Sequence, residues 1–541
     1  MVLGKTARVV VLNVALAAVY VVVARFGLML DAVSGFATLV WPSTGLAVVA
    51  LIVFGYRLWP GIAAGALITN LGVGAPLAVA AGIAAGNTGE ALFGAWAVKR
   101  STGGFPSLGR VRDMVAFIGL VAVGSTLISA TLGVTSLRLG GIVDAQGSLD
   151  TWRAWWIGDL MGDLIVGPML LLPWAWREAT RKLGRRGLLE AAALGALLVA
   201  VNWLVFGARD EGAASLIREA YLAFPLLVWA AIRFGVRGAA CANFIVSAVA
   251  VTGTVLGRGP FHMGSLSQSL LHLQVFMIVV VATTLILGAT SEERRQAIVL
   301  RDSLISLASH ELRTPLTSLQ LRIQLLARSA RSAQLSQERL ARDAIGAEDQ
   351  VKRLARLIDD LLDISRIMSG RIRLDLEEID LDRFVREIVD RCPEPQRELV
   401  TIRSAGAPVV GRWDRMRIDQ IVSNLLSNAL KYGDNKPIEV VLSRSDERAQ
   451  ARLEVRDHGV GIAAADLPRI FERFERAATK QVGGFGLGLW IVRQVVDALG
   501  GSIEVESSPG SGSTFVVDLP LEPQGRSTQG TQGYSRAAVR V

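Results

Sequence analysis

The 541-residue sequence predicts a multi-domain protein in three parts. First comes an all-α polytopic membrane bundle of eight to ten transmembrane helices, then an α-helical hairpin that forms a dimeric four-helix bundle, then an α/β sandwich. Three patterns carry this reading. Residues 1–290 are a near-continuous series of apolar runs. Residues 305–361 hold two apolar seams at alternating three- and four-residue steps. From about residue 373, short β-like runs alternate with helical segments. The expected boundaries are 1–290, 291–370 and 371–522, with a polar tail at 523–541 whose composition predicts disorder.

Composition narrows the function classes. The hydrophobic fraction is 51% and the mean hydropathy +0.42. Residues 1–290 hold 20 Lys/Arg and 12 Asp/Glu, so they carry +8 of the net +9. The basic character belongs to the apolar part and gives no support to nucleic-acid binding. Two isolated cysteines, Cys241 and Cys392, make neither a disulfide framework nor a metal site. The first apolar run is too long for a cleavable signal and lacks a small-residue cleavage site, so it reads as a retained first membrane helix.

A spanning helix needs about 20 mostly apolar residues. Ten segments qualify or nearly do: 9–29, 37–55, 58–73, 76–98, 113–137, 154–174, 188–207, 219–233, 238–256 and 269–290. Those at 58–73 and 219–233 are short, which leaves eight spans open. With the N-terminus inside, the short inner loops collect 14 Lys/Arg against 5 outside. That bias predicts an even number of crossings in a bacterial inner membrane, with the N-terminus and everything after residue 291 in the cytoplasm. Asp159 and Asp163 are four apart and share a helix face. Carboxylates at membrane depth face a bundle interior, a cavity or a partner. They are candidates for sensing a ligand, ion or proton, against the plainer reading of a structural pair. Glu90, in GNTGEALFG, is a candidate polar partner across helices. Trp152, Trp155 and Trp156 read as an interfacial belt rather than a binding box.

The last span runs through SEERRQAIVLRDS into the next helix with no room for a separate linker domain. Ile305, Ala308, Leu312, Leu316, Leu319, Ile323 and Leu326 form one seam; Leu340, Ala344, Ala347, Val351, Leu354, Ile358 and Leu361 form the other. A two-helix hairpin cannot bury both seams alone, so pairing with a second copy over 300–368 is expected. His310, one of four histidines, lies off the seam. An imidazole with one unprotonated nitrogen is a nucleophile. Glu311 beside it can orient it and take up its proton. Thr314 stands one turn on and can position a hydrolytic water; Pro315 removes a helical hydrogen bond.

In the α/β part, RLDLEEI, LVTIRS, IEVVLS, ARLEVRD, GSIEVES and STFVVDL read as strands of a sheet covered on one face by helices. Asn424, Asn428 and Lys431 lie at i, i+4 and i+7 on one helix face. Amide oxygens suit Mg²⁺, and Lys431 with Tyr432 can meet phosphates. Asp457 ends a strand before HisGlyValGly, where a fixed carboxylate can accept the amino hydrogens of adenine and glycine lets the base approach. The glycines of GGFGLGLW open a helix whose N–H groups can face phosphates. A dinucleotide fold would require a parallel βαβ unit with an acid about 20 residues on, which the strand order does not supply. Phe471 and Phe474 read as core residues that also grip a lid at 475–485.

These motifs support three resemblances. WPSTGLAVVALIVFGYRLWPGIAAGALITN, GNTGEALFGAW and WWIGDLMGDLIVGPMLLLPW occur in the order found in the membrane-associated sensor domains called MASE. That implies an integral sensory module whose stimulus is an unidentified small molecule, ion or membrane protein, in a setting of membrane lipid. SHELRTPL resembles the H-box of HisKA-type sensor histidine kinases. It implies that His310 is the phosphoacceptor, Glu311 the assisting base and Thr314 a residue of a phosphatase reaction. NLLSNALKY, DHGVGI, RIFERF and GGFGLGL resemble the N, G1, F and G2 boxes of the GHKL ATPase fold. They imply ATP and Mg²⁺ as cofactors, with Asn428 the Mg²⁺ ligand and Asn424, Lys431, Tyr432, Asp457, Gly459, Gly461, Phe474, Gly484, Gly486, Leu487 and Gly488 holding the nucleotide. His458 stands where that family often has Asn. The implied activity is ATP-dependent autophosphorylation on His310, then transfer to an aspartate of a separate response regulator. The rival is a membrane receptor or transport module whose kinase core acts chiefly as a regulated phosphatase or scaffold. An ATP-driven transporter is disfavoured because no Walker loop is present.

Overall fold

A computed structural model describes residues 5–29, 32–33, 37–38, 40–175, 184–207, 220–261, 266–329, 337–368, 374–405, 408–445, 449–472 and 487–522. The chain forms two compact units, Met1–Leu300 and Arg301–Val541. The expected tail at 523–541 and the lid at 475–485 lie outside the described residues.

The first unit is built of helices: α1 (Lys5–Leu28), a small antiparallel pair β1 (Ala32–Val33) and β2 (Ala37–Thr38), α2 (Pro42–Phe54), α3 (Trp59–Gly72), α4 (Leu77–Thr102) and α5 (Val111–Ala116). A π-helical stretch, Phe117–Ser125, carries α5 into α6 (Thr126–Leu139), and α7 (Ser148–Ala175), α8 (Arg185–Gly207) and α9 (Phe224–Val255) follow. Then α10 (Leu266–Ser329) begins. Proline stands in the first turn of α2, α3 and α9, where a missing N–H costs nothing.

Among the described residues, six helices are long and apolar enough to cross a membrane: Thr6–Leu28, Val111–Leu139, Ser148–Pro173, Arg185–Gly207, Ala220–Val255 and Ser269–Ser303. Each of the ten sequence segments lies mainly on helix, although 37–55 begins on β2 and reaches α2 only at Pro42, and not all are independent spans. α2 has 13 residues, about 20 Å of helix against a hydrocarbon core of about 30 Å. α9 joins the segments 219–233 and 238–256, yet it breaks at Gly235 (φ 65°, ψ −151°). A Cβ on Gly238 would sit 2.3 Å from the Ala230 carbonyl oxygen. Eight residues of straight helix rise about 12 Å, so the chain folds back here. Glycine supplies the left-handed φ that this reversal needs.

Small residues set the helix spacing, as expected where no hydrophobic force drives helices together in lipid. Gly61 and Gly65 of α3 abut Asn13 and Tyr20 of α1, and Gly61 N–H donates to Asn13 Oδ1 at 2.7 Å. Gly162 of α7 lies against the backbone of Trp41 at the start of α2, where a Cβ would come within 2.0 Å of its carbonyl oxygen. Trp41 N–H donates to the Gly158 carbonyl at 2.9 Å and ties the same two elements.

The second unit receives the end of α10, then α11 (Gln337–Met368), β3 (Glu377–Asp380), α12 (Leu381–Asp390), α13 (Glu394–Arg397), β4 (Val400–Ala405) and β5 (Val410–Trp413). After these come α14 (Arg415–Tyr432), β6 (Ile438–Ser445), β7 (Gln450–Asp457), α15 (Gly488–Ala498), β8 (Ser502–Ser508) and β9 (Gly512–Pro520). The main sheet has the order β4-β6-β7-β9-β8; β4 and β6 run parallel and the other pairs antiparallel. Alternate residues of β6 and β9 are buried, so one face of the sheet packs on α14 and α15 through Val440, Leu453, Val492 and Val517. The RLDLEEI run departs from expectation: β3 pairs with the short β5 as a separate two-stranded sheet. Four residues of VGRW were too brief a signal to read as a strand, and Trp413 at its end is fully buried with its indole donating to Pro520.

α10 continues through Pro315. Along the two seams, Ile305, Leu316, Ile323, Val351 and Ile358 are each at least 45% exposed in the single chain.

Candidate functional site

Two clusters of chemistry stand out, one in each unit. In the second unit, α14 is capped by Asp414, whose Oδ1 accepts from Arg417 N–H at 3.1 Å and whose Oδ2 accepts from Asp375 N–H at 3.0 Å. Ile418, Ile421, Val422, Leu425 and Leu426 bury one face of the helix. Asn424 and Asn428 are half-buried on the other, and Lys431 and Tyr432 are exposed at its end. The Lys431 ammonium lies 5.8 Å from the Tyr432 ring centroid.

The end of α14 meets the loop after β7. Val460 N–H donates to the Tyr432 carbonyl at 3.1 Å, and Gly510 N–H donates to the Val460 carbonyl at 2.8 Å. Ser507 Oγ accepts from Ile462 N–H and donates to the Gly512 carbonyl, both at 2.8 Å. The loop 458–462 is therefore held from both sides. A Cβ on Gly459 would lie 1.8 Å from the Tyr432 carbonyl oxygen, and one on Gly461 (φ 68°) would lie 2.0 Å from the Ser508 carbonyl oxygen. Asp457 is 5% exposed, and its Oδ1 accepts from Gly459 N–H at 2.9 Å. Burial pushes its carboxyl above the ordinary range, while the N–H groups of Gly459 and Ser513 and the charge of His458 pull it down.

α15 begins at Gly488 without a side-chain cap, and a Cβ there would lie 2.9 Å from Asn424 Oδ1. The start of α15 thus sits on the Asn424 end of the polar face, with Leu487 buried beneath it. This cradle fits a nucleotide: a buried acceptor, glycines that leave the floor open, amide oxygens and a cation on one wall. Two glycines the motif reading passed over belong to it. A Cβ on Gly433 would lie 3.7 Å from the Asp457 Cβ, and Gly512 (φ 87°) would drive a Cβ to 2.0 Å from the Asp457 carbonyl oxygen. The PGSGS turn was the available signal for the second. Phe471 is buried edge-on against Phe515. Phe474, Gly484 and Gly486 lie outside the described residues. No three carboxylate, histidine or cysteine side chains converge on a metal-holding site among the described residues.

His310, Glu311 and Thr314 lie on α10, and Thr314 is exposed. The side chains of His310 and Glu311 are outside what the structure describes.

In the first unit, Glu90, Asp159 and Asp163 are all buried, each at most 2% exposed. They come from α4 and α7 and lie close enough to interact electrostatically. Thr44 of α2 donates to Asp159 Oδ1 at 3.1 Å. Asn87 of α4 donates to the Tyr20 hydroxyl and accepts from Ser129 of α6, each at 2.9 Å, and the Trp155 indole donates to Ser129 at 3.1 Å. Trp155 is therefore an interior residue, not part of an interfacial belt; it is 7% exposed, held by that hydrogen bond and packed on Gly133. Trp152 and Trp156 stack on each other, half-buried. The roles of Tyr20, Thr44 and Ser129 had no local sequence signal, because their partners are 42 to 115 residues away.

Comparison with known families decides the membrane part: the MASE1 model matches residues 12–295, over half of the chain. The chain belongs to the MASE1 family. In this MASE1 protein, the His Kinase A (phospho-acceptor) domain model matches residues 300–370. The model for histidine kinase-, DNA gyrase B- and HSP90-like ATPases matches residues 413–523. The MASE1 protein is 36% identical over 244 residues to the autoinducer 2 sensor kinase/phosphatase LuxQ of Vibrio cholerae, covering 43% of this chain and 28% of that one. It is 30% identical over 235 residues to the sensor protein kinase WalK of Staphylococcus aureus, covering 42% of this chain and 56% of that one. Among solved structures, the Acinetobacter baumannii histidine kinase AdeS aligns with 27% identity and a TM-score of 0.31, over 39% of this chain and 98% of that one. The aligned part of this MASE1 protein spans little more than half, or less, of the length of these curated relatives.

Proposed function

We propose that this protein is a membrane-bound sensor histidine kinase of a two-component system. The observation that carries the reading is the cradle around Asp457. A buried carboxylate and the glycine loop behind it sit at the end of α14, and the Asn424–Asn428 face of that helix leads to the uncapped start of α15.

Adenine is held through its amino group by Asp457, with Gly459 and Gly461 giving the base its approach. Asn424, Lys431, Tyr432, Gly484, Gly486, Leu487 and Gly488 are assigned to binding the phosphates, and Phe474 to the same nucleotide site. Asn428 would hold Mg²⁺ together with phosphate oxygens, and the ion would neutralise charge on them. An imidazole nitrogen of His310 attacks the γ-phosphorus. A phosphorus–nitrogen bond forms as the bond to the β,γ-bridging oxygen breaks; ADP leaves, and Glu311 takes the imidazole proton. Positioning and electrostatics supply most of the rate, as for phosphoryl transfer generally. The phosphoryl group then passes to an aspartate of a separate response regulator, and Thr314 serves a phosphatase reaction toward that regulator.

The apolar seam residues exposed in the single chain support homodimerisation through 300–368, because a second copy would bury them. The loop charge bias supports a cytoplasmic N-terminus and kinase in a bacterial inner membrane. The domain limits 1–290, 291–370 and 371–522 belong to this proposal.

The test is to give the purified full-length protein γ-labelled ATP with Mg²⁺. Acid-labile, alkali-stable label should appear in the wild type and vanish in His310→Gln. Label that persists in His310→Gln overturns the assignment.

A further inference from the structure

A small cavity opens beside Asp159 in the membrane bundle, about 20 Å³, room for one water-sized occupant. What lines it determines what it can hold. Asp159 is 1% exposed, and while its Oδ1 accepts from Thr44, its Oδ2 is buried without a hydrogen-bond partner. The Ser129 hydroxyl and Trp155 indole lie near the same carboxyl, but their hydrogens are aimed elsewhere: Ser129 donates to Asn87 and Trp155 to Ser129.

The other polar side chains on the wall also direct donors into the protein. Thr38 Oγ1 donates to the Val40 carbonyl at 3.1 Å, Thr69 Oγ1 to the Gly65 carbonyl at 2.8 Å, and Asn70 Nδ2 to the Ala66 carbonyl at 2.8 Å. An Asn87 amide hydrogen is spent on the Tyr20 hydroxyl. The wall is in part apolar, with Leu28, Val73 and Ile83, and its polar part is chiefly oxygen: a carboxylate oxygen and the lone pairs of two hydroxyls and an amide. Such a wall repels an anion and rewards a cation.

Size and charge narrow the class. A divalent ion of the hard, oxygen-seeking kind prefers several carboxylates, and no three acidic side chains converge on a metal-holding geometry among the described residues. One carboxylate with neutral oxygens suits a monovalent ion. Glu90 and Asp163 do not line the cavity, but both interact with the Asp159 charge, and both oxygens of Asp163 and Oε1 of Glu90 are buried without partners. Among the described residues, the groups that interact electrostatically with this cluster are Tyr20 of α1, Glu90 of α4 and Asp163 of α7, and none of these is basic. A buried acidic cluster of this kind is costly unless a positive charge joins it.

We propose that this cavity is a binding site for a small monovalent cation, of Na⁺ or ammonium size, with Asp159 Oδ2 as the charged ligand and Thr38, Thr69 and Asn70 as neutral ones. The site links α1, β2, α3, α4 and α7, so occupancy changes how tightly these elements are held. It gives the membrane half a ligand class, and it stands apart from whether the cytoplasmic half is a kinase.

The experiment uses the full-length protein in detergent micelles or nanodiscs at fixed pH and ionic strength. Choline chloride is replaced stepwise by the chloride of Na⁺, K⁺, Li⁺ or ammonium, while unfolding temperature and tryptophan fluorescence are followed, since Trp41 and Trp155 line the cavity. At least one ion should give a saturable rise in unfolding temperature with a matching fluorescence change. Asp159→Asn, which keeps the shape but not the charge, should weaken that ion at least tenfold. Thr69→Val should weaken it too and serves if Asp159→Asn does not fold. Absence of a saturable response to all four ions overturns the proposal, as does a response that both variants leave unchanged. Autophosphorylation on the same samples reports the kinase reading separately, so failure of one is not failure of the other.

Discussion

Thr44 Oγ1 reaches Asp159 Oδ1 across 3.1 Å, and a second link between the same helices runs from Trp41 N–H to the Gly158 carbonyl. The first is the only hydrogen bond of good geometry to the Asp159 carboxyl among those described, and it depends on α2 and α7 lying almost backbone to backbone. Thr44→Val keeps the shape and removes the donor, leaving a buried carboxylate oxygen unsatisfied. The expected loss is about 1–3 kcal/mol in the membrane half. It is read as a lowered unfolding temperature of the full protein in detergent, while Thr44→Ser should retain most of the stability.

Gly162→Ala should be worse than Thr44→Val. Its Cβ would sit 2.0 Å from the Trp41 carbonyl oxygen, a backbone atom that cannot swing aside. The two helices must part, and the Thr44–Asp159 contact goes with them. Loss of a cooperative thermal transition, or of folded protein on extraction, is the expected result; near-wild-type behaviour would contradict the close approach.

Asp414 caps α14 and also ties down Asp375, so one side chain holds both the start of α14 and the chain entering β3. Asp414→Ala should cost about 1–2 kcal/mol, the usual range for a lost cap. Urea denaturation of the second unit's fluorescence would report it. Asp414→Asn should recover most of the loss, since an amide oxygen also accepts.

Gly461→Ala tests the loop behind the cradle. Gly461 adopts φ 68°, and a Cβ would meet the Ser508 carbonyl oxygen at 2.0 Å. Strain and collision together should displace the loop 458–462. ATP affinity, measured by fluorescent-nucleotide displacement, should fall at least tenfold while α14 stays folded by circular dichroism, with the tenfold loss equal to about 1.4 kcal/mol.

Asp457 should make nucleotide binding depend on pH. Burial raises its carboxyl above the ordinary range, so it protonates at a higher pH than a surface aspartate as pH falls. Protonation removes the acceptor for adenine, so affinity should weaken as the pH drops through that raised value. The stability effect has the opposite sign. The folded state holds this proton more tightly than the unfolded chain, so the associated stability is fully present below the unfolded value and is lost as pH rises through the raised one. Asp457→Asn should flatten both dependences and lower ATP affinity about tenfold or more, a charged hydrogen bond being worth about 1.5–3 kcal/mol.

Local chemistry was legible without coordinates. The i, i+4, i+7 run of Asn424, Asn428 and Lys431 required one helix face, and α14 provides it. Asp159 and Asp163 required another on α7, and both are buried. Strands β4, β6, β7, β8 and β9 were readable from alternation, because one face of that sheet is buried. Elsewhere local signal ran out. β5 is four residues long, the reversal at Gly235 joins two apolar runs that period alone cannot orient, and Trp155 looks like any membrane-interface tryptophan until Ser129 stands beside it.

Residue order alone therefore determined which segments are helices or strands, which are apolar enough for lipid, and which short motifs share a face. These depend on neighbours within a turn or two. The tertiary structure decided what no window can contain: Thr44 meeting Asp159 from 115 residues away, the Tyr20–Asn87–Ser129 chain across three helices, and the cavity whose walls offer oxygen. Side chains far apart along the chain meet only where glycines such as Gly65 and Gly162 let backbones approach, and that proximity is a property of packing.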